Sequence, residues 1–126
     1  MEKCPIETAL RYIGKKWTFE IVRDLFFGRK HFNEFLESNP DLSGKVLSER
    51  LKELIENGII EKKVLNSFPI SVEYALTKKG RALNKIIYEL AVFAITTCTE
   101  YNGNRCNNSY ITKDLNNLKK VLKIDV

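Results

Sequence analysis

A chain of 126 residues with 44% hydrophobic and 29% charged side chains is long enough to bury a core of its own, and it has no apolar run near the ~20 residues that would cross a bilayer. Lys and Arg outnumber Asp and Glu by 21 to 16, and the resulting net charge of +5 suits a polyanionic partner such as DNA. Three cysteines, Cys4, Cys98 and Cys106, one histidine, His31, and no CxxC pair argue against a disulfide framework and a zinc site, so neither metal nor cofactor is expected. The opening MEKCPIE has no apolar stretch of the kind a signal peptide needs, which predicts a cytoplasmic protein with no membrane attachment.

Residues 5–13, PIETALRYI, predict a first helix with Pro5 at its start and Glu7 in the first turn, where an acid favours the helix dipole. Its apolar set is Ile6, Ala9, Leu10 and Ile13. Gly14, Lys15 and Lys16 break the pattern, and a second helix follows from Trp17 to Phe27, stopped by Gly28. Trp17, Ile21 and Leu25 repeat at helical spacing, which reads Trp17 as a core anchor. Arg29, Lys30 and His31 lead into FNEFLESN, a short third helix with Phe32, Phe35 and Leu36 on one side, ended by the turn chemistry of Asn39, Pro40 and Asp41.

Ser43 to Gly58, SGKVLSERLKELIENG, is sorted more sharply than any other stretch. At 100° per residue Leu47, Leu51, Leu54 and Ile55 share one arc, and Lys45, Ser48, Glu49, Lys52 and Glu56 share the opposite one. Ser43 is a good N-cap and Gly58 a natural C′ residue. Two short helices joined by a tight turn, the second presenting Lys and Ser outward, predict a helix-turn-helix.

Past Gly58 the period shifts toward 2. Residues 59–65 read as one strand and 72–76 as its partner, joined by Asn66-Ser67-Phe68-Pro69-Ile70-Ser71, which is long for a tight hairpin. A helix-turn-helix followed by a hairpin is the winged-helix order. Thr77 then caps a long helix from Lys78 through Thr97, whose first turn carries Lys78, Lys79 and Arg81 against the dipole preference. Its apolar face, with Ile86, Ile87, Leu90, Ala91, Phe93, Ala94 and Ile95, is wider than a small domain covers and suggests a second copy of the chain as partner. Residues 99–111 read as a polar loop, and Thr112 as the cap of a last helix carrying Leu115, Leu118, Val121 and Leu122.

Several motifs stand in order along about 90 residues: Cys4-Pro5-Ile6-Glu7, Gly14-Lys15-Lys16-Trp17-Thr18, Phe32-Asn33-Glu34-Phe35, residues 45–54 as KVLSERLKEL, Gly58-Ile59-Ile60, and Val72-Glu73-Tyr74-Ala75-Leu76-Thr77 with Gly80. Together they resemble the HxlR-type family of bacterial and archaeal winged-helix transcriptional regulators. The resemblance implies a homodimer on a palindromic operator, with the first and last helices forming the dimer contact. It departs from the family at Arg29 and His31, at Gly44 in place of a common Pro, and at Ser71, where Arg is frequent and would supply a basic side chain to the wing.

The expected fold is therefore mainly α with a small β-hairpin (α+β): a winged helix-turn-helix with N- and C-terminal dimerisation helices in residues 1–97, with residues 98–126 adding a polar loop and short helix to the same domain. The expected function is a sequence-specific regulator of double-stranded DNA, not an enzyme. Ser43, Lys45, Ser48, Glu49 and Lys52 would lie on the recognition helix, with Glu49 either accepting from cytosine or pairing with Lys45 at i, i+4. Lys15, Lys16, Arg29, Lys30, Lys62, Lys63, Ser67, Ser71, Lys78 and Lys79 would meet the DNA backbone or serve the wing. Arg50, near the core arc, would join elements of the fold. Ile6, Leu10, Ile86, Leu90 and Phe93 would form the dimer contact. For Cys4 two readings stand: the resemblance implies a thiol sensing electrophiles or oxidants, whose thiolate the positive helix end and Lys3 would favour, and the other is a small residue buried at the dimer contact. A winged-helix module that binds protein rather than DNA is the alternative function, supported by Glu49, Glu53 and Glu56, since acids on that helix oppose phosphate.

Overall fold

In the computed structural model, which describes residues 4–97 and 115–124, Pro5 opens helix α1 (Pro5–Ile13) as its position at N1 requires. The readings for Lys3, Cys98, the 99–111 loop, Cys106 and Thr112 fall outside the described residues. Gly14 ends α1: its N–H donates to the Leu10 carbonyl at 2.7 Å, and a Cβ there would lie 2.4 Å from that oxygen. Helix α2 (Thr18–Phe26) starts one residue later than expected, because Trp17 sits outside it with φ 77°. Trp17 is half-buried rather than a core anchor, and Thr18, Ile21 and Val22 fill the core position instead. The turn that displaces it is held from outside, where Arg50 Nε donates to the Lys16 carbonyl at 2.9 Å.

Helix α3 (Phe32–Ser38) and helix α4 (Gly44–Glu56) form the expected helix-turn-helix. Ser43 caps α4 through its hydroxyl, which accepts from the Val46 N–H at 3.2 Å. At the other end Gly58, at φ 74°, lets the Ile59 N–H reach back to the Leu54 carbonyl at 2.9 Å. Leu47, Leu51 and Leu54 are buried with Phe35, Ile21 and Ile59, whereas Ile55, expected among them, is exposed at the edge of the arc. Strands β1 (Ile60–Leu65) and β2 (Ser71–Leu76) pair antiparallel in the register Ile60↔Leu76 to Leu65↔Ser71. The hairpin is anchored at its base, where the Tyr74 N–H donates to the Lys30 carbonyl at 2.8 Å and Thr77 N–H to that of Ile59 at 3.1 Å.

The long helix expected over 78–97 is two helices, α5 (Lys78–Arg81) and α6 (Asn84–Thr97). The break falls at Ala82 and Leu83; α6 starts at Asn84, whose side-chain oxygen accepts from the Lys85 N–H at 2.8 Å, and the Leu83 carbonyl accepts from the Ile87 N–H at 3.1 Å. Thr77 does cap α5, accepting from the Gly80 N–H at 3.1 Å. Helix α7 (Leu115–Leu122) buries Leu118 and Leu122. The described chain falls into two compact units, Met1–Gly80 and Arg81–Val126. In the second, Asn84 Nδ2 donates to the Leu122 carbonyl at 2.9 Å, joining α6 to α7. Among the described residues no helix is long and apolar enough to cross a membrane.

Candidate nucleic-acid interface

The burial of Leu47, Leu51 and Leu54 fixes the rotation of α4 and so decides what it shows to solvent: Ser43, Lys45, Ser48, Glu49 and Lys52 are all exposed. Lys45 and Lys52 have no acidic partner among the described residues, and the pair of Lys45 with Glu49 is not formed. Between this face and the hairpin runs a groove of about 420 Å³, lined by apolar Phe32, Ile55 and Tyr74 and by Ser48, Lys52, Glu56 and Lys62. Burial also pushes the Tyr74 hydroxyl above its ordinary range, so the neutral phenol is favoured beside the lysines.

The two faces of the hairpin differ in charge. Register places Lys62, Val64, Val72 and Tyr74 on the side that lines the groove and Glu61, Lys63 and Glu73 on the other. On that other side Lys63 meets Glu61 at 3.6 Å and Lys30 meets Glu73 at 3.0 Å, while the His31 ring lies 3.7 Å from Glu73 and 3.1 Å from the Val72 carbonyl. Lys62, like Lys52, has no acidic partner among the described residues. Ser67 and Ser71 belong to the loop and the start of β2, and Ser67 turns its hydroxyl onto the Pro69 carbonyl at 3.4 Å.

Of the other basic residues named from the sequence, several are engaged internally. Lys15 contacts Glu53 at 3.1 Å, and Arg50 holds the second oxygen of the same carboxylate at 2.6 Å. The Lys15 hydrogen bond, opposed in part by burial and aided by Arg50, keeps the Glu53 carboxyl below the ordinary range. Arg50 thus ties α4 to the turn before α2, as its place near the core arc implied, and Glu53 faces that junction rather than a partner. The Lys16 ammonium stands 5.3 Å from the Trp17 ring centroid; that of Lys79 stands 4.2 Å from the Tyr12 ring and donates to the Asn57 carbonyl at 2.9 Å. Arg29 approaches Asp24 at 4.0 Å, and Lys78 is exposed.

Asp24 is the residue that sequence reasoning passed over. It is wholly buried, and its oxygens accept from Arg23 at 3.0 Å, the Ser38 hydroxyl at 2.9 Å and Asn39 Nδ2 at 3.0 Å. Asn39 Oδ1 in turn accepts from Arg23 at 2.9 Å, so the network locks the end of α3, and with it the turn before α4, onto α2. The signal was present: Asp24 lies three residues after Ile21, on the apolar stripe, where an acid needs a buried partner.

At the N-terminus Cys4 is exposed at the N-cap of α1, and its carbonyl accepts from the Thr8 N–H at 3.0 Å. Ile6 and Leu10 of α1 are exposed, as are Ile86, Leu90 and Phe93 of α6, Phe93 to 62%.

A family model described as HxlR-like helix-turn-helix matches residues 12–102. The HTH-type transcriptional regulator YodB of Bacillus subtilis (strain 168) is 43% identical over 96 residues, which cover 75% of this chain and 86% of that protein. Its reduced form has been solved, and that structure matches with a TM-score of 0.68 at 41% identity over 78% of this chain and 97% of the other. A structure of the redox regulator HypR in its oxidized form matches with a TM-score of 0.69 at 35% identity, over 73% of this chain and 95% of the other.

Proposed function

Because this chain belongs to the HxlR-like helix-turn-helix family, we propose that it is a DNA-binding transcriptional regulator that acts as a homodimer on a palindromic operator and responds to thiol chemistry at Cys4. The observation that carries the reading is the outward face of α4, capped by Ser43, with Lys45 and Lys52 unpaired among the described residues and Ser48 between them. With α4 in the major groove, Lys45 and Lys52 donate to purine acceptors and Ser48 to either kind of base edge, while Glu49, free of Lys45, accepts from cytosine N4. Two copies place their α4 helices roughly 34 Å apart, one helical turn of DNA. The cations already held by Glu53, Glu61 or Glu73 are largely neutralised by them and contribute less to the attraction of phosphate than Lys45, Lys52 and Lys62, which have no acidic partner among the described residues.

The second copy supplies apolar surface to Ile6, Leu10, Ile86, Leu90 and Phe93, whose exposure in one copy is otherwise unexplained. Cys4, exposed beside Ile6, lies where its oxidation alters that contact. Thiol chemistry also fits the relatives, one of which is a redox regulator and another of which was solved after diamide treatment. The test is retention of duplexes selected from genomic DNA, measured against salt with and without diamide. Salt-sensitive binding that diamide reverses in the wild type but not in Cys4→Ser is expected. Absence of salt-sensitive binding to any duplex overturns the DNA reading, and an equal diamide response in Cys4→Ser removes Cys4 from it.

A further inference from the structure

A second concavity, of about 370 Å³, lies where the end of α1, the start of α2 and the last turns of α4 meet. The α4 residues that line it, Arg50, Glu53 and Asn57, form a stripe separate from that of Lys45, Ser48 and Lys52. Thr18 and Leu54, each 1% exposed, make its floor. A buried hydroxyl needs a hydrogen-bond partner, and among the described residues no polar side-chain atom sealed from solvent lacks one. The Thr18 hydroxyl has no partner among them, so it is not sealed and opens into the cavity.

The walls are charged. Arg50 commits Nε to the Lys16 carbonyl at 2.9 Å and Nη1 to Glu53 at 2.6 Å, but Nη2 has no partner among the described residues, on a side chain only 12% exposed. Lys15 shares the same Glu53 carboxylate. Two lining groups stay unpaired among the described residues, and they are opposite in sign: Arg11 and Glu56. From outside the cavity Lys79 braces two more, its ammonium 4.2 Å from the Tyr12 ring centroid and donating to the Asn57 carbonyl at 2.9 Å. The wall is thus set before anything binds.

We propose that this cavity binds a small polar α-amino acid. Its carboxylate takes Arg11 and the free Nη2 of Arg50, with the Thr18 hydroxyl donating from the floor, and its ammonium meets Glu56. The acids in the lining select the class: a phosphate dianion would face both Glu53 and Glu56, whereas a zwitterion presents one charge to each unpaired group. The volume is near the lower end of ligand pockets, about 300–1,000 Å³, and suits a short side chain. The site uses none of the α4 residues assigned to bases and none of the apolar residues assigned to a second copy, so it stands apart from the DNA-binding reading.

The test is calorimetric titration of the full chain, without DNA, by each of the common amino acids, then by the hydroxy acid and the amine that match the tightest binder, and by inorganic phosphate. Saturable binding of at least one polar amino acid is expected, weaker by about tenfold or more for either analogue, since each lacks one charge-assisted contact. Arg11→Gln should weaken the amino acid by a similar factor. Glu56→Gln should do the same yet leave the hydroxy acid unaffected, which a general loss of structure would not do. Thr18→Val should weaken binding while unfolding at no lower temperature than the wild type, because it removes a hydroxyl that no protein group satisfies. No saturable binding by any amino acid overturns the proposal, as does binding that Arg11→Gln and Glu56→Gln both leave intact. Phosphate or the hydroxy acid binding as tightly as the amino acid also overturns it, reducing the cavity to a plain anion site. With no DNA in the cell, every outcome leaves the DNA-binding reading to its own test.

Discussion

Helices α4 and α6 are nearly equal in length, thirteen and fourteen residues, yet they leave opposite kinds of surface exposed. In α4 three leucines are buried by the chain itself, and what remains outside is mostly polar, Lys45, Ser48, Glu49, Lys52 and Glu56, with Ile55 exposed at the edge of the buried arc. In α6 Ile87 is buried, while Ile86, Leu90 and Phe93 remain exposed. Each helix thereby states the chemistry of the molecule it lacks. On the proposed reading the first, complete as a packed element, is open to DNA, and the second is completed by apolar surface of another copy.

Substitutions can break this contrast. Leu51→Ala should cost about 2–5 kcal/mol in denaturant unfolding, because the buried side chain leaves a cavity. The same truncation at Leu90 should cost stability only in proportion to how much of the protein is associated, so its midpoint should move with protein concentration. A concentration-independent loss at Leu90 as large as at Leu51 would abolish the distinction. Lys45→Ala should leave unfolding unchanged and cost about 1–3 kcal/mol in binding to a selected duplex, with relaxed preference at one base position. Equal weakening on every sequence would move Lys45 to the phosphate class. Phe93→Ala should weaken self-association about tenfold in sedimentation equilibrium while leaving monomer unfolding intact.

The smallest effect belongs to Glu53. Its carboxyl titrates below the ordinary 4.5 in the fold, so its contribution is present above about pH 4.5 and is lost as pH falls through the folded value. The side chain is 35% exposed, which screens the interaction to less than about 1 kcal/mol. Glu53→Gln should therefore be slightly destabilised at pH 7, and the gap to the wild type should narrow progressively in unfolding curves taken as the pH falls below 4.5. A gap that persists there would assign Glu53 a packing role instead of an electrostatic one.

Most of the fold was legible wherever one residue had one reason for its place. Pro5, Ser43, Gly58 and Thr77 punctuate helices as their backbone chemistry dictates, and the change of period after Gly58 located the hairpin. Reading failed where a distant contact decides. Trp17 is drawn out of α2 at a turn whose Lys16 carbonyl is held by Arg50, thirty-four residues away, and no local pattern announces that. The chain breaks at Ala82 and Leu83 between two helices, and periodicity does not see an interruption that preserves the apolar set. For the candidate site, exposure of the α4 residues followed from the positions of three leucines. Which lysines are already paired did not, because Glu53, Glu61 and Glu73 are indistinguishable from other acids until the chain is folded.

The separation of roles along α4 also bears on how such a protein diverges. Leu47, Leu51 and Leu54 answer to folding, Arg50 and Glu53 to the junction with the turn before α2, and Lys45, Ser48, Glu49 and Lys52 to neither. After a gene duplication the last group is free to change without a stability threshold being crossed, so a new target sequence is reachable through folded intermediates. The same property makes this one helix face a graft site: exchanging its outward residues should retarget the protein while the remaining residues of the helix, and the network around Asp24 that seats it, stay as they are.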